Sequence, residues 1–421
     1  MRFLFRALRN RNYRLFFSGH GISLVGMWMT SVAIGWLVYR LTNSPFLLGL
    51  VAFSSQIPSL ILTPVAGVFI DRWDRRKVIL FTQFFAMVQA LSLALLAFTG
   101  AIKVWHIIAI RLFQGFVNAV DIPARQSFII DMLDDKNDLG NAIALNSSMF
   151  NGARMIGPSI AGILISLVGE WLCFLLDGLT YIAIIVALIS MRIKPKANTL
   201  VNGRIWAGMK EGFDHAFGFL PIRALILMVA LLSIFGFPYL VLMPIFARDI
   251  LGGGPNTLGF LMAATGFGAV CGAVFLASRK TVVGLGKVLW ISVMVFGTGL
   301  ILFSISRSFI ISMSLLLFTG FGMMIQMASA NTLLQTIVDD DKRGRVMSFY
   351  AMAFMGMAPF GSLLAGTLAS KIGAPLTNII GGSLCIVGAV VFARNLPTLR
   401  KMVQPIYVRK GIMPLTTLEG D

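Results

Sequence analysis

The residues of this 421-residue chain that could do chemistry are a few charges embedded in apolar sequence. Asp177 stands in the run from Cys173 to Gly178, roughly 10 Å from one end of its apolar stretch at about 1.5 Å per residue. An ionisable group so placed is costly unless it faces a partner or water, which makes it a functional candidate. Desolvation favours the neutral acid and a neighbouring arginine favours the carboxylate. Paired with Arg154 or Arg111, Asp177 is therefore either a protonation switch or a permanent structural salt bridge. Gln114, Asn118, Asp121 and Arg125 follow Arg111 at steps of three or four and share one helix face with it. His20 reads as a hydrogen-bonded helix histidine or a proton relay. Ser23, Thr30, Ser31, Gln56, Ser59 and Gln326 complete a modest polar lining.

Enzyme chemistry finds no support in the sequence. There is no phosphate-cradling glycine loop, no nucleophile elbow and no His/Cys/Asp cluster at ligand spacing. Cys173, Cys271 and Cys385 all fall in apolar stretches and read as small core residues. Neither a metal nor a bound cofactor is expected.

The elements that position these residues follow from composition. Hydrophobic residues make up 57% of the chain and charged residues 12%, about half the charged share of a soluble domain. Apolar runs of spanning length, roughly 20 residues, lie near 15–39, 46–70, 78–98, 104–124, 142–168 and 171–191. Six more lie near 223–247, 256–277, 287–306, 309–330, 346–369 and 376–394. Basic residues concentrate in alternate loops, which predicts both termini, the loop holding Arg72, Arg75, Arg76 and Lys77, and the central linker on the cytoplasmic side. The net charge of +18 is thus a topology signal, spread over several segments, and nucleic-acid binding is not expected. No cleavable signal peptide is expected, because the arginine-rich start leads into an apolar run too long for a signal core.

The chain also repeats itself. Phe150, Gly152, Gly157, Ala161 and Gly162 recur as Phe354, Gly356, Gly361, Ala365 and Gly366. The register continues, with Gly169, Leu172 and Gly178 meeting Gly373, Leu376 and Gly382. Two halves in one orientation are the parallel repeat of many transporters. The expected organisation is a bundle over 1–192, a linker over 193–222, a second bundle over 223–394 and a tail over 395–421. Ile205, Met209, Phe213, Phe217 and Leu220 predict an amphipathic surface helix in the linker. The proline-containing basic tail is expected to have little structure of its own.

Gly67, Asp71, Arg72, Arg75 and Arg76 resemble the signature loop of the major facilitator superfamily. The resemblance implies that this loop latches the two halves on the cytoplasmic side. In the outward-facing state Asp71 would cap the start of the eleventh helix near Arg345, with Arg75 pairing Asp121, and releasing these contacts would open the inside. Arg111, Gln114 and Gly115 resemble a second signature, found in proton-coupled members. Ala153, Gly157, Pro158, Ala161 and Gly162 resemble the antiporter signature of drug exporters, although packing alone also explains a small-residue stripe. Asp121 to Gln126, Asn141 to Asn146, Phe237 to Pro244, Phe246 to Asp249 and Arg343 to Ser348 are similar to the enterobactin-exporter-like (transmembrane secretion effector) branch.

The resulting expectation is an all-α membrane protein with twelve transmembrane helices in two parallel-repeat six-helix bundles, the major facilitator fold. The resemblance implies a monomeric exporter in the bacterial inner membrane. It would move a small apolar or amphipathic molecule, siderophore- or drug-like, driven by the proton motive force. Arg111, Arg154 and Asp177 are the expected coupling cluster. A lysolipid translocase and a non-transporting sensor or scaffold are the rival readings.

Overall fold

The computed structural model describes residues 5–70, 73–193, 217–279 and 281–414. Among the described residues, twelve long helices carry the architecture. They are α1 (Arg11–Thr42), α2 (Pro45–Ile70), α3 (Arg75–Phe98), α4 (Val104–Phe128), α5 (Leu139–Leu167) and α6 (Glu170–Ser190). The others are α7 (Leu220–Ile250), α8 (Pro255–Ala277), α9 (Leu285–Ile305), α10 (Phe309–Ile337), α11 (Lys342–Ile372) and α12 (Ala374–Arg409). No strand occurs among the described residues. Among those residues, 11 helices are long and apolar enough to cross a membrane. The exception, α5, is long but carries Asn141, Asn146, Ser147, Ser148, Asn151 and Arg154. A helix too polar for a lipid-facing average is one that turns polar side chains toward protein or an aqueous path.

The sequence repeat is a repeat of contacts. Gly157 of α5 sits so close to α1 that a Cβ there would come within 2.6 Å of Trp28 Cβ and 3.0 Å of the Val25 carbonyl. Its counterpart Gly361 of α11 meets α7 in the same way, 2.7 Å from the carbonyls of Ser233 and Ile234. Gly178 of α6 abuts Leu91 of α3, and Gly382 of α12 abuts Gly297 and Ile301 of α9. The joints match too. Gly169, between α5 and α6, has φ 107°, and Gly373, between α11 and α12, has φ 86°. Only glycine takes such values freely, so each tight helix–helix turn depends on its glycine.

Two compact units result. The first comprises Met1–Val201 with Val241–Gly266, the second Asn202–Leu240 with Phe267–Asp421. The core beneath α1, α3 and α4 includes Tyr13, Phe16, Ile79, Phe128 and Ile184. In the second unit α7 and α11 each contain a π-helical stretch, Leu232–Gly236 and Met352–Gly356. The two stretches meet where Ser233 Oγ donates to the Phe354 carbonyl at 2.5 Å.

One expectation is overturned. The segment after Arg394 continues α12 as helix to Arg409. Leu399, Val403 and Tyr407 recur every four residues on its buried side, the periodicity that docks a helix. Lys410 Nζ donates to the carbonyls of Thr336 and Val338 at 2.8 and 2.9 Å, satisfying groups at the end of α10. Arg409 pairs with Asp339 at 2.5 Å. The amphipathic helix expected in the linker lies mostly outside the described residues.

Candidate functional site

Asp177 is the most deeply buried charge among the described residues of the first unit. It projects from α6 and is 1% exposed. Gly26 of α1 makes room for it, since a Cβ there would fall 2.7 Å from Asp177 Oδ1. That oxygen has no hydrogen-bond partner, and Thr30 Oγ1 faces the carboxyl from α1 outside full hydrogen-bonding geometry. Arg111 of α4 and Tyr181, one turn further along α6, interact with the carboxyl electrostatically. Among the described residues no basic group lies within the 4.0 Å of a direct ion pair to Asp177. The arrangement is a buried acid under an arginine's field but not locked to it.

Arg154 is not brought to this acid. Its guanidinium lies 5.8 Å from the ring centroid of Trp28, a cation–π arrangement, and Trp28 packs edge-on against Phe150 at 5.7 Å. The sequence put Arg154 and Arg111 forward alike as partners of Asp177, and the helix packing separates them. Tyr181 went unnoticed in the sequence. Its spacing of four from Asp177 on one helix was the available signal.

A second polar group lies along α4 and α1. Asp121 is 2% exposed and accepts from Thr82 Oγ1 at 2.7 Å and Gln83 Nε2 at 2.8 Å, both on α3. It also pairs with Arg125 one turn along α4. Arg125 Nη1 in turn lies 2.8 Å from His20 Nε2. A guanidinium has donors only, so the facing imidazole nitrogen acts as acceptor. The pairing of Arg75 with Asp121, expected of the outward-facing state, does not occur in the arrangement described here. Arg75 Nη1 bonds Asp131 at 2.9 Å and the Ser127 carbonyl at 3.3 Å, because a short 3₁₀ turn, Ile129–Met132, carries Asp131 up to it.

These two ion pairs should respond differently to mutation. Asp121→Ala leaves half-buried Arg125 without its carboxylate and strips the acceptor from buried Thr82 and Gln83, at about 1–3 kcal/mol for each buried group left unsatisfied. Arg75→Gln breaks a partly solvated pair worth about 1 kcal/mol or less. Thermal unfolding of the two purified variants in detergent should show a large fall for the first and a small one for the second.

The remaining sequence candidates are dispersed. Gln114 Nε2 donates to Asn118 at 2.8 Å while its Oε1 stays unpartnered. Gln56 bonds only its own helix, to the Ala52 carbonyl at 3.2 Å. Gln326 of α10 is fully buried, with neither side-chain polar atom hydrogen-bonded. Arg76 donates to the Ile189 carbonyl at 2.7 Å, and Asp74 caps α3 by accepting from the amides of Arg76 and Lys77. Gly67 belongs to α2 and Arg345 is half-buried on α11. Asp71 and Arg72, and with them the expected cap on α11, lie outside the described residues. No group of three or more His, Cys, Asp or Glu residues arranged to hold a metal occurs among the described residues.

At the end opposite the chain termini, the first unit is fastened by polar bonds and glycine contacts. Tyr39 Oη donates to Asp249, and Arg248 Nη1 donates to Asn43 Oδ1 at 2.8 Å. Arg40 forms a two-pronged pair with Glu170 at 2.8 and 3.0 Å. Beside them α5 and α8 run nearly backbone to backbone. A Cβ on Gly162 would fall 2.8 Å from the Pro255 carbonyl, and one on Gly259 would fall 2.4 Å from the Pro158 carbonyl. Ala153 and Ala161 are buried on the same helix as that glycine seam. Neither Tyr39 nor Asn43 stood out in the sequence, since both lie at the end of an apolar run.

Comparison with known proteins adds the family. The family model described as transmembrane secretion effector matches residues 4–406. The staphyloferrin A transporter of Staphylococcus aureus is 26% identical over 381 residues, covering 90% of this chain and 95% of that protein. The multidrug efflux pump Tap of Mycolicibacterium fortuitum is 23% identical over 387 residues, with 90% and 93% covered. A solved inward-facing, occupied bacterial homologue of the human lysosomal transporter Spinster superposes with a TM-score of 0.73 at 13% identity, covering 93% of this chain and 97% of that one.

Proposed function

Because this chain belongs to the transmembrane secretion effector family, we propose that it is a secondary exporter that exchanges protons for a small apolar or amphipathic molecule. The chain is a multi-spanning transporter of the major facilitator fold. The siderophore- or drug-like substrate class draws support from the two relatives, one named for a siderophore and one for drugs. It also fits the enterobactin-exporter-like strings in the sequence. The charge distribution of the loops supports both termini in the cytoplasm, and the bacterial relatives support a place in the bacterial inner (plasma) membrane.

The observation that carries the proton reading is the setting of Asp177. A carboxyl that is 1% exposed, close to Arg111 yet not ion-paired with it, changes its partners when it gains or loses a proton. In the proposed cycle Asp177 holds the proton and Arg111 and Tyr181 sense its charge. Gln114 and Asn118 extend the polar face beyond Arg111. The Tyr39–Asp249 and Arg248–Asn43 bonds and the Gly162–Gly259 seam close the end opposite the termini, so release there requires them to part. Alternating access of this kind needs two discrete packings rather than continuous deformation.

Inverted membrane vesicles test the substrate class. Vesicles containing this protein should accumulate staphyloferrin A or a lipophilic fluorescent cation when acidified inside, and should lose that accumulation with an uncoupler. Movement of labelled lysolipid between leaflets, with no accumulation of either soluble probe, would overturn the exporter reading in favour of a lipid translocase.

A further inference from the structure

A cavity of about 540 Å³ opens in the second unit, at the end where α7 begins and α10 finishes. That volume lies within the range of small-molecule clefts, roughly 300–1,000 Å³. Leu225, Leu333, Ile337 and Phe392 give it apolar walls, while Arg400 and Lys401 stand among its lining residues on the α12 extension. No acidic residue lines it.

The four basic residues of that extension divide into two pairs. Arg409 and Lys410 are engaged, the first with Asp339 and the second with the carbonyls closing α10. Arg400 and Lys401 are exposed and make no ion pair or hydrogen bond among the described residues. Two unengaged cations over an apolar cleft complement an amphiphile with an anionic head and a hydrocarbon body. The chain's own linker is a poor complement, because Lys194, Lys196, Arg204 and Lys210 outnumber Glu211 and Asp214 there. Basic pockets between transmembrane helices at the membrane boundary are suited to acidic lipid head groups.

We propose that this cleft is a binding site for an anionic phospholipid, with the phosphate between Arg400 and Lys401 and an acyl chain against Leu333 and Ile337. The site is separate from the Asp177 cluster, so its failure leaves the proton reading untouched.

Native mass spectrometry of the full-length protein in detergent tests it, with phosphatidylglycerol, phosphatidylethanolamine and inorganic phosphate offered in turn. The wild type should retain phosphatidylglycerol several-fold better than phosphatidylethanolamine and should not exchange it for inorganic phosphate. The paired variant R400Q/K401Q should lose at least about fivefold of that binding, because both cationic contacts to the head group are removed. Val282→Trp, which fills the cleft from a loop without changing charge, should lose it as well. Equal retention of the two lipids, or unchanged phosphatidylglycerol binding in both variants, would overturn the site. Displacement by inorganic phosphate would also overturn it, by marking a free-anion site. A chain ending at Pro414 lacks Glu419 and Asp421. Binding that arises only in that truncated form would identify the acidic tail as the native occupant and reject the lipid.

Discussion

Asp177→Asn is expected to cut proton-driven transport by roughly two orders of magnitude, the scale of losing a positioned proton-transfer group. The amide keeps the shape and size of the carboxyl, so the space opposite Gly26 stays filled. What disappears is the ability to alternate between a charged and a neutral form beside Arg111. Exchange of substrate for substrate with no net proton movement should survive, because that process needs only binding and the rocking of the bundles. The split between the two assays is the informative result. A variant that had merely misfolded would lose both, and a purely structural acid would leave the ratio between them unchanged. Arg154→Gln supplies the contrast. Its guanidinium lies over Trp28 rather than near the acid, so the ratio should stay close to wild type.

Gly259→Leu is expected to produce the largest conformational effect. A Cβ at this position would sit 2.4 Å from the Pro158 carbonyl and 2.9 Å from Gly162 Cα. Both obstacles are backbone, which no rotamer change can clear. α5 and α8 must separate, at about 1–3 kcal/mol for an overpacked contact. Against a two-state equilibrium this is roughly 5–150-fold away from the closed arrangement. Cysteine labelling at Leu258→Cys, a buried position next to Gly259 on α8, should accelerate accordingly in the Gly259→Leu background. Gly152→Ala is the control. It lies on α5 with nothing within 4 Å of an added Cβ and should label at the parental rate.

Much of the fold could be read from the sequence because the physics was periodic and repeated. Apolar runs gave the helices, and Gly157, Gly169 and Gly178 could be aligned with Gly361, Gly373 and Gly382 before any coordinates. Each aligned pair then does the same job in its own half, as a close-packing contact or a positive-φ joint. The α12 extension escaped notice because Pro397 and Pro405 read as breakers. Its four-residue stripe of Leu399, Val403 and Tyr407 outweighs them once a surface is there to dock on. The site was less legible, for a geometric reason. Sequence ranks intramembrane charges by cost, but it does not say which helices are neighbours. Arg111 and Arg154 carry equal cost, yet α4 turns the first toward Asp177 and α5 turns the second toward Trp28. Asp121 likewise shows neighbours that sequence spacing does not give, being enclosed here by Thr82, Gln83 and Arg125.

Protons moving against substrate are the centre of this account, and they can be watched directly. Purified protein in vesicles with an acidic lumen and a lumenal pH dye should alkalinise the lumen when a transported substrate is added outside. The rate should follow substrate concentration and vanish in Asp177→Asn. Substrate uptake by the wild type at full rate with no change in lumenal pH would contradict the account.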